Sequence, residues 1–203
     1  LGYIVGALVT HEHGDHAKAI GDVVKAGIPT FASRGTITAS GVIHNRLTAI
    51  EAHKVLNIGQ FKIYPFDVNH DAKEPLGFVI SHPECGNVLF ITDTYYVGYK
   101  FENINNILIE ANFSESIVAE KKASGDGRAF LYDRILKSHM SIETCKSYLN
   151  SMDLNAVNQI VLIHLSNGNS HAKEFKKEIE LSTGKDVWIA DKGLEISLNK
   201  TPF

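Results

Sequence analysis

The segment His11-Glu12-His13-Gly14-Asp15-His16 constrains this chain most, because it holds three histidines and an aspartate within six residues. It directly follows an apolar, β-branched run over residues 4–10, which predicts a buried strand. Alternate residues of an extended segment point the same way, so the first two histidines can hold one ion together. The aspartate and the last histidine can face a second ion where the chain turns into a helix. A solvated polar loop is the weaker alternative, since strands rarely end in such a cluster without a ligand.

Other apolar strands also end in a potential metal ligand. The strand ends that carry histidine or an acidic residue are His11, Asp93, Glu110 and His164. One shared sheet edge would bring these four together. Imidazole and carboxylate donors suit Zn²⁺, and also Mn²⁺ or Fe²⁺.

Hydrophobic periodicity predicts interleaved strands and helices, with a hairpin around residues 83–86. We predict strands at residues 4–10, 30–32, 61–68, 76–81, 87–92, 107–111, 159–164, 187–189 and 194–198. We predict helices at residues 17–26, 114–122, 130–137, 141–149 and 170–181. This order favours a layered α/β architecture with sheets inside and helices outside, in a single domain over residues 1–203.

Composition narrows the class of protein. Hydrophobic residues make up 44% and charged residues 21%, which is typical of a soluble globular protein without a membrane span. The formal charge of −3 lacks the strong basic excess of many nucleic-acid binders. The two cysteines, Cys85 and Cys145, are far apart and are interpreted as thiols in a reducing cytoplasm.

The histidine-rich segment resembles the His-x-His-x-Asp-His signature of the metallo-β-lactamase superfamily. Later landmarks of that superfamily follow in the expected order. They are Val68-Asn69-His70-Asp71, Phe90-Ile91-Thr92-Asp93-Thr94 and Leu162-Ile163-His164.

The resemblance implies an αββα sandwich that holds two divalent metal ions. The first site would use His11, His13 and His70. The second would use Asp15, His16 and His164, with Asp93 shared between the two. Zn²⁺ is favoured and Mn²⁺ is the alternative. The superfamily normally has a hairpin or more before its histidine-rich loop, whereas ten residues precede it here, so we expect the N-terminal strands to be missing from this chain.

Two features favour the phosphodiesterase branch, which includes the transfer-RNA 3′-processing ribonuclease. Neither cysteine stands at a strand end that matches the cysteine ligand of many true lactamases. His139 before a predicted helix and Glu110 at a strand end resemble the branch's catalytic pair. A histidine kept protonated by a carboxylate can protonate the leaving alkoxide of a phosphodiester. The nucleophile would be a hydroxide bridging the two metals, formed from a water that Asp15 orients or deprotonates.

The expected substrate is a cyclic nucleotide or a DNA or RNA end, because the chain lacks the long basic arm of the ribonuclease branch. It is similar to compact phage and bacterial members, and a homodimer is expected by analogy. A local basic run could hold phosphates or be a solvated helix face; it comprises Lys121, Lys122, Arg128, Arg134 and Lys137. The alternatives are a thioesterase or lactonase with the same metals, and a non-catalytic module that metal stabilises.

Overall fold

Two β-sheets pack against each other in the computed structural model, which describes residues 3–125 and 129–202. The smaller sheet is parallel and runs in the order β1 (Ala7–Leu8), β2 (Thr30–Ser33) and β3 (Leu47–Ile50). The larger sheet has seven strands in the order β10-β9-β8-β7-β6-β5-β4. Its strands are β4 (Leu56–Ile58), β5 (Phe61–Asp67), β6 (Leu76–His82), β7 (Gly86–Ile91), β8 (Asn106–Glu110), β9 (Gln159–Ile163) and β10 (Asp186–Ile189).

Seven helices are found in the described part of the chain. They are α1 (Gly14–Ala17), α2 (Ile20–Lys25), α3 (Arg34–Ser40), α4 (Glu115–Ala123), α5 (Ala129–Ser138), α6 (Ile142–Asn150) and α7 (Ala172–Thr183). None of them, within residues 3–125 and 129–202, has the length and apolar character needed to span a membrane.

Three apolar clusters define the layers. Ala17 and Ile20 of the first helices pack with Ala32 of the small sheet. Phe31 and Ile50 of that sheet meet the large sheet in a second cluster. A third cluster lies on the far face of the large sheet and includes side chains of α6 and α7. The order helix, sheet, sheet, helix confirms the predicted αββα sandwich.

The topology of the large sheet gathers strand ends at one edge. Strands β7, β8, β9 and β10 are parallel. Strand β5 has the same direction, because β6 is antiparallel to both β5 and β7. The segments that follow β5, β7, β8 and β9 therefore leave from the same edge, where ligands of α/β proteins commonly bind.

Two predicted strands differ from the structure. The strand predicted over residues 4–10 is reduced to Ala7–Leu8, and Ile4 and Val5 are about half exposed. Strand β1 lies at the edge of the small sheet and pairs only with β2. No strand forms over residues 194–198. There Gln159 Nε2 donates to the Ser197 carbonyl, so a side chain satisfies this backbone group in place of a strand neighbour.

The helix predicted over residues 17–26 is divided. Lys18 ends α1, and Ala19 is the N-cap of α2. The break lets the first turn direct Asp15 and His16 to one side while the second helix buries its own apolar residues. Strands β3 and β4 and helix α3 were not predicted from the sequence. The predicted hairpin and the predicted helix after Ser141 are both confirmed, and Ser141 Oγ accepts the Thr144 N–H at 3.1 Å.

The expectation of one shared sheet edge is correct for three of the four strand ends. Asp93 and His164 follow β7 and β9, and Glu110 is the last residue of β8, which lies between them in the large sheet. His11 instead follows β1 of the small sheet, because β1 pairs with β2 and not with the large sheet. Leu76 N–H donates to the Thr10 carbonyl at 2.9 Å and joins the two sheets beside His11.

Candidate metal centre

One group of imidazoles converges at the end of β1. His11, His13 and His70 each offer one ring nitrogen, and all three atoms lie within 4.8 Å of one another. Nδ1 of His13 is 3.1 Å from Nε2 of His11 and 3.1 Å from Nε2 of His70. Ligand nitrogens about 2.0–2.1 Å from a tetrahedral ion are separated by roughly 3.4 Å. The three side chains therefore fit a single divalent cation.

A second group adjoins the first. Oδ2 of Asp15 lies 3.4 Å from Nε2 of His16 and 3.7 Å from Nε2 of His164. Asp15 is exposed, whereas both histidines are partly buried. These three donors lie within 4.8 Å of one another and form a second potential cation site.

Asp93 lies between the two groups. Its Oδ2 is 2.6 Å from His16 Nε2 and 3.4 Å from His11 Nε2, and its side chain is almost fully buried. Two buried atoms here, His16 Nε2 and Asp93 Oδ1, make no hydrogen bond of standard geometry among the described residues, although Asp93 Oδ2 lies 2.6 Å from the first and His164 Nδ1 lies 2.9 Å from the second. Close polar atoms that are not aligned for hydrogen bonding fit ligands that face a shared cation. The structure thus brings all seven predicted metal ligands together.

Neighbouring groups fix the orientation of the imidazoles. His70 Nδ1 donates to the Ser138 carbonyl at 2.7 Å, which leaves Nε2 to face the first group. Thr10 Oγ1 lies 3.0 Å from Nδ1 of His11 and 3.4 Å from Nδ1 of His16. Such outer contacts set the tautomer and aim of metal-binding histidines. The contacts of Thr10 and Ser138 were not predicted from the sequence; the only available signal was a hydroxyl residue directly before the histidine-rich segment.

Glu110 joins His139 to the cluster. Its carboxylate is completely buried, and Oε1 accepts from Nδ1 of His139 at 2.7 Å and from Nδ1 of His164 at 2.9 Å. Its Oε2 accepts the backbone N–H groups of Thr94 at 3.0 Å and Met140 at 3.1 Å. Four donors therefore hold this carboxylate. The predicted pairing of His139 with Glu110 is present in the structure as a short hydrogen bond.

Burial and neighbouring charges separate four histidines into two kinds, since the pKa is lowered at His11 and His70 and raised at His139 and His164. Burial lowers the pKa of His11 to about 3, with a further contribution from His16, so its ring is neutral and able to bind a cation. Burial also opposes charge on His139, but its contacts with Asp93 and Glu110 prevail and raise its pKa to about 9. Burial would likewise raise the pKa of Asp93, yet its contacts with His139, His16 and His164 keep that pKa well below the usual range.

Two candidate ligands have an unusual backbone. Asp93 has φ of 47° and His164 has φ of 56°, the left-handed region that L-residues other than glycine seldom adopt. Asp93 lies two residues after the end of β7 and His164 lies directly after β9, so the turn at each strand end redirects the side chain into the cluster. Backbone strain of this kind concentrates at functional sites.

The basic run before His139 is largely engaged with other side chains and carbonyls. Lys121 Nζ donates to Asn169 Oδ1 at 3.0 Å, and Lys122 pairs with Asp133 at 2.6 Å. Arg134 Nε donates to Asp71 Oδ2 at 2.7 Å. Asp71 Oδ1 in turn lies 3.3 Å from His70 Nε2. Among these basic side chains, Arg134 is therefore linked through Asp71 to the group of potential metal ligands. Arg128 lies outside the described residues.

A structural comparison supports the fold. YhfI of Bacillus subtilis, described as a metallo-β-lactamase fold protein, aligns with a TM-score of 0.66 at 19% identity over 95% of this chain and 80% of YhfI. A diphosphatase of the PhnP family aligns with a TM-score of 0.63 at 14% identity over 93% of this chain and 68% of that protein. At sequence identities of 19% and 14%, these structural alignments establish a shared fold and nothing more specific.

Sequence comparison identifies the family. The exodeoxyribonuclease YycJ of Bacillus anthracis is 30% identical over 119 residues, which are 54% of this chain and 45% of that protein. The chain thus matches less than half the length of this curated relative. Residues 1–165 match the sequence model of the family described as "Beta-lactamase superfamily domain". This match covers most of the chain, which therefore belongs to the β-lactamase superfamily of metal-dependent hydrolases.

Proposed function

We propose that this chain is a two-metal phosphodiesterase that cleaves phosphodiester bonds in nucleotides or at nucleic-acid ends. The observation that carries the proposal is the hydrogen bond of 2.7 Å between His139 Nδ1 and Glu110 Oε1, directly beside the metal-ligand cluster. A lactone or thioester can be opened by metal-activated water alone. A phosphodiester also benefits from a histidine that meets the anionic phosphate and protonates the departing oxygen.

The metal ligands are assigned from the two groups of donors. His11, His13 and His70 would hold one divalent ion; Asp15, His16 and His164 would hold the other, with Asp93 positioned between the two groups. Histidine and carboxylate donors favour Zn²⁺, with Mn²⁺ as the alternative. Two such ions, when bound, lower the pKa of water and neutralise charge on the phosphate.

The remaining roles follow from position. Asp15 is the exposed carboxylate of the cluster, and we assign it to orienting the attacking water and accepting its proton. Nδ1 of His139 is committed to Glu110, so Nε2 is the ring atom that donates to the leaving oxygen. Glu110 does not touch the substrate. It holds the His139 ring and favours its protonated form.

The comparisons are consistent with this chemistry. YycJ is named an exodeoxyribonuclease, and the PhnP-family protein is named a diphosphatase. Both names describe cleavage at phosphorus. Because the chain matches only part of YycJ, the choice among DNA, RNA and cyclic nucleotides is left to experiment.

The test is replacement of His139. We expect His139→Ala to lower kcat for bis(p-nitrophenyl) phosphate by roughly 10²–10⁴-fold, the usual contribution of a general acid. Metal content, measured by inductively coupled plasma mass spectrometry, should stay at the wild-type value because His139 is not among the assigned ligands. His171→Ala is the matched control, since His171 is exposed and lies at the start of α7 outside the cluster. Undiminished turnover by His139→Ala would overturn the phosphodiesterase assignment.

A substrate panel distinguishes the competing hydrolase classes. Wild-type protein is assayed with cyclic nucleotides, short DNA and RNA, a thioester and a lactone, each with Zn²⁺ and with Mn²⁺. We expect the highest kcat/KM for a phosphodiester and a loss in His139→Ala that is confined to phosphodiesters. A preference for the thioester or lactone with no response to His139→Ala would favour that class instead.

A further inference from the structure

Two neighbouring tyrosines stand exposed beside the candidate metal centre. Tyr95 is 45% exposed and Tyr96 is 55% exposed, whereas Thr94 before them is completely buried. They follow Asp93 by two and three residues, so the Tyr96 Cα lies within roughly 11 Å of the Asp93 Cα. Apolar ring surface is therefore presented to solvent within a short distance of the metal ligands.

The loop that carries these tyrosines is fixed to the site. Thr94 N–H donates to Glu110 Oε2 at 3.0 Å, and Thr94 Oγ1 accepts the Asn69 N–H at 3.0 Å. Tyr95 N–H donates to the Asn69 carbonyl at 3.2 Å, and Asn69 Nδ2 donates to the Tyr96 carbonyl at 3.0 Å. Asn69 precedes His70, so the same short segments hold a metal ligand, the carboxylate partner of His139 and the tyrosine backbone. The backbone of the two tyrosines consequently has a defined position relative to the reacting groups.

Space for a ligand adjoins Tyr96. A cleft of about 400 Å³ lies between residues 96–100 and α6, and the residues that line it include Tyr96, Tyr99, Tyr148 and Lys100. This volume is within the range of small-molecule sites. Aromatic walls with one ammonium group suit a flat ring attached to an anion, which is the chemistry of a nucleotide.

We infer that Tyr95 and Tyr96 form a base-stacking surface, and that the substrate carries an unpaired nucleobase next to the scissile phosphodiester. The inference rests on the proposed function and narrows its substrate class to single-stranded ends and free nucleotides. Exposed aromatic rings beside a backbone-binding site stack bases with little sequence preference, because every base has a π-face. A base-paired duplex would keep its terminal bases from this surface unless the end frayed.

The experiment measures binding rather than turnover. A fluorescein-labelled phosphorothioate hexamer of thymidine is compared with a phosphorothioate hexamer of abasic tetrahydrofuran units, using fluorescence anisotropy on the protein with its bound metal. The two probes share backbone charge and length and differ in the bases. We expect wild-type protein to bind the thymidine hexamer about 10-fold more tightly or better, in line with the energy of stacking one or two bases.

Variants assign the preference to the two rings. Tyr95→Ala combined with Tyr96→Ala should bring the ratio of the two Kd values close to one. Tyr95→Phe combined with Tyr96→Phe should keep most of the preference, because phenylalanine retains the ring. Tyr3→Ala is the matched control, since Tyr3 is fully exposed and precedes β1, at the opposite end of that strand from His11.

Several outcomes would contradict the stacking surface. Equal affinity of wild-type protein for the two hexamers would overturn it whatever the variants do. A preference that survives in the double alanine variant would also overturn it and would leave the tyrosines to a protein partner. Failure of the proposed function is distinguishable, because it would appear as a retained base preference with no cleavage of the corresponding phosphodiester.

Discussion

At the scale of single residues, three imidazoles of the cluster have one ring nitrogen held and the other directed inward. Thr10 holds His11 and His16, and the Ser138 carbonyl holds His70. A ligand that is oriented before the ion arrives loses little freedom on binding, so these outer contacts contribute to affinity. Thr10 has the widest effect, because one hydroxyl serves a histidine of each candidate metal site.

We therefore expect Thr10→Val to weaken metal binding by roughly 10–100-fold without removing any ligand. Valine keeps the shape of threonine and loses only the hydroxyl. The measurement is competition with a fluorescent chelator for Zn²⁺ and for Mn²⁺.

Thr48→Val is the control for Thr10→Val, because Thr48 is an exposed threonine of the same small sheet. Equal affinities for Thr10→Val and Thr48→Val would show that the Thr10 hydroxyl does not orient the histidines.

The candidate metal ligands could be predicted from the sequence, whereas the groups that hydrogen-bond to them could not. Histidines and acidic residues at strand ends are conspicuous, and His139 and Glu110 were identified by their resemblance to a known pair. Ser138 acts through its backbone carbonyl, which every residue possesses, so no side-chain pattern marks it. The contact of Asn69 with Thr94 depends on how two distant strand ends meet, and that is fixed only by the tertiary fold.

At the scale of elements, α5 serves the site with its last turn and the residue after it. Its carboxyl end supplies the Ser138 carbonyl to His70, and His139 follows directly. Tyr132 and Ile135 bury its inner face against the start of α4. Arg134 adds an ion pair with Asp71, next to His70. The end of α5 therefore provides the Ser138 carbonyl and leads into His139, and an ion pair connects the helix to the loop that carries His70.

Breaking the Arg134–Asp71 pair tests whether this tie positions the site. Half of the Arg134 side chain is exposed, so its loss should cost at most about 1 kcal/mol in the free energy of unfolding. We nevertheless expect Arg134→Ala to lower kcat/KM several-fold, because α5 positions His139 and orients His70.

The control for the α5 tie is Asp133→Ala. It removes the Lys122–Asp133 pair, which joins α5 to α4 and not to the His70 loop. Steady-state kinetics and thermal unfolding are measured on both variants. If Arg134→Ala and Asp133→Ala have the same kcat/KM, the Arg134 pair is an ordinary surface ion pair.

Helices and strands could be predicted where a hydrophobic periodicity extended over many residues or where an apolar run was continuous. The helices over residues 114–122, 130–137 and 170–181 were predicted within one or two residues of their observed ends. The short strands β3 and β4 were missed, because three or four residues carry too little alternation. Residues 194–198 alternate as a strand would, but hydrogen bonding to neighbouring side chains takes the place of strand pairing.

At the scale of the whole molecule, the candidate metal centre joins the two sheets. His11, His13, Asp15 and His16 follow the small sheet, whereas His70, Asp93 and His164 extend from the large one. The group His11–His13–His70 and the group Asp15–His16–His164 each take donors from both sheets. Bound ions would thus act as cross-links between two layers that also meet through apolar packing and through hydrogen bonds such as that between Leu76 N–H and the Thr10 carbonyl.

Metal removal should therefore destabilise the protein as a whole and loosen the small sheet in particular. Ligand at about 100 times its Kd stabilises the folded state by roughly 2.7 kcal/mol. For a chain of this size, that corresponds to a fall in Tm of roughly 5–10 °C after chelation. Hydrogen exchange should show the larger loss of protection in β1 and β2, since the small sheet has fewer strands to hold it.

Removing one donor from each site, with His13→Ala and His164→Ala combined, should shrink the Tm difference between metal-loaded and chelated protein. A Tm that does not respond to chelation would show that the cluster does not hold ions tightly enough to join the sheets.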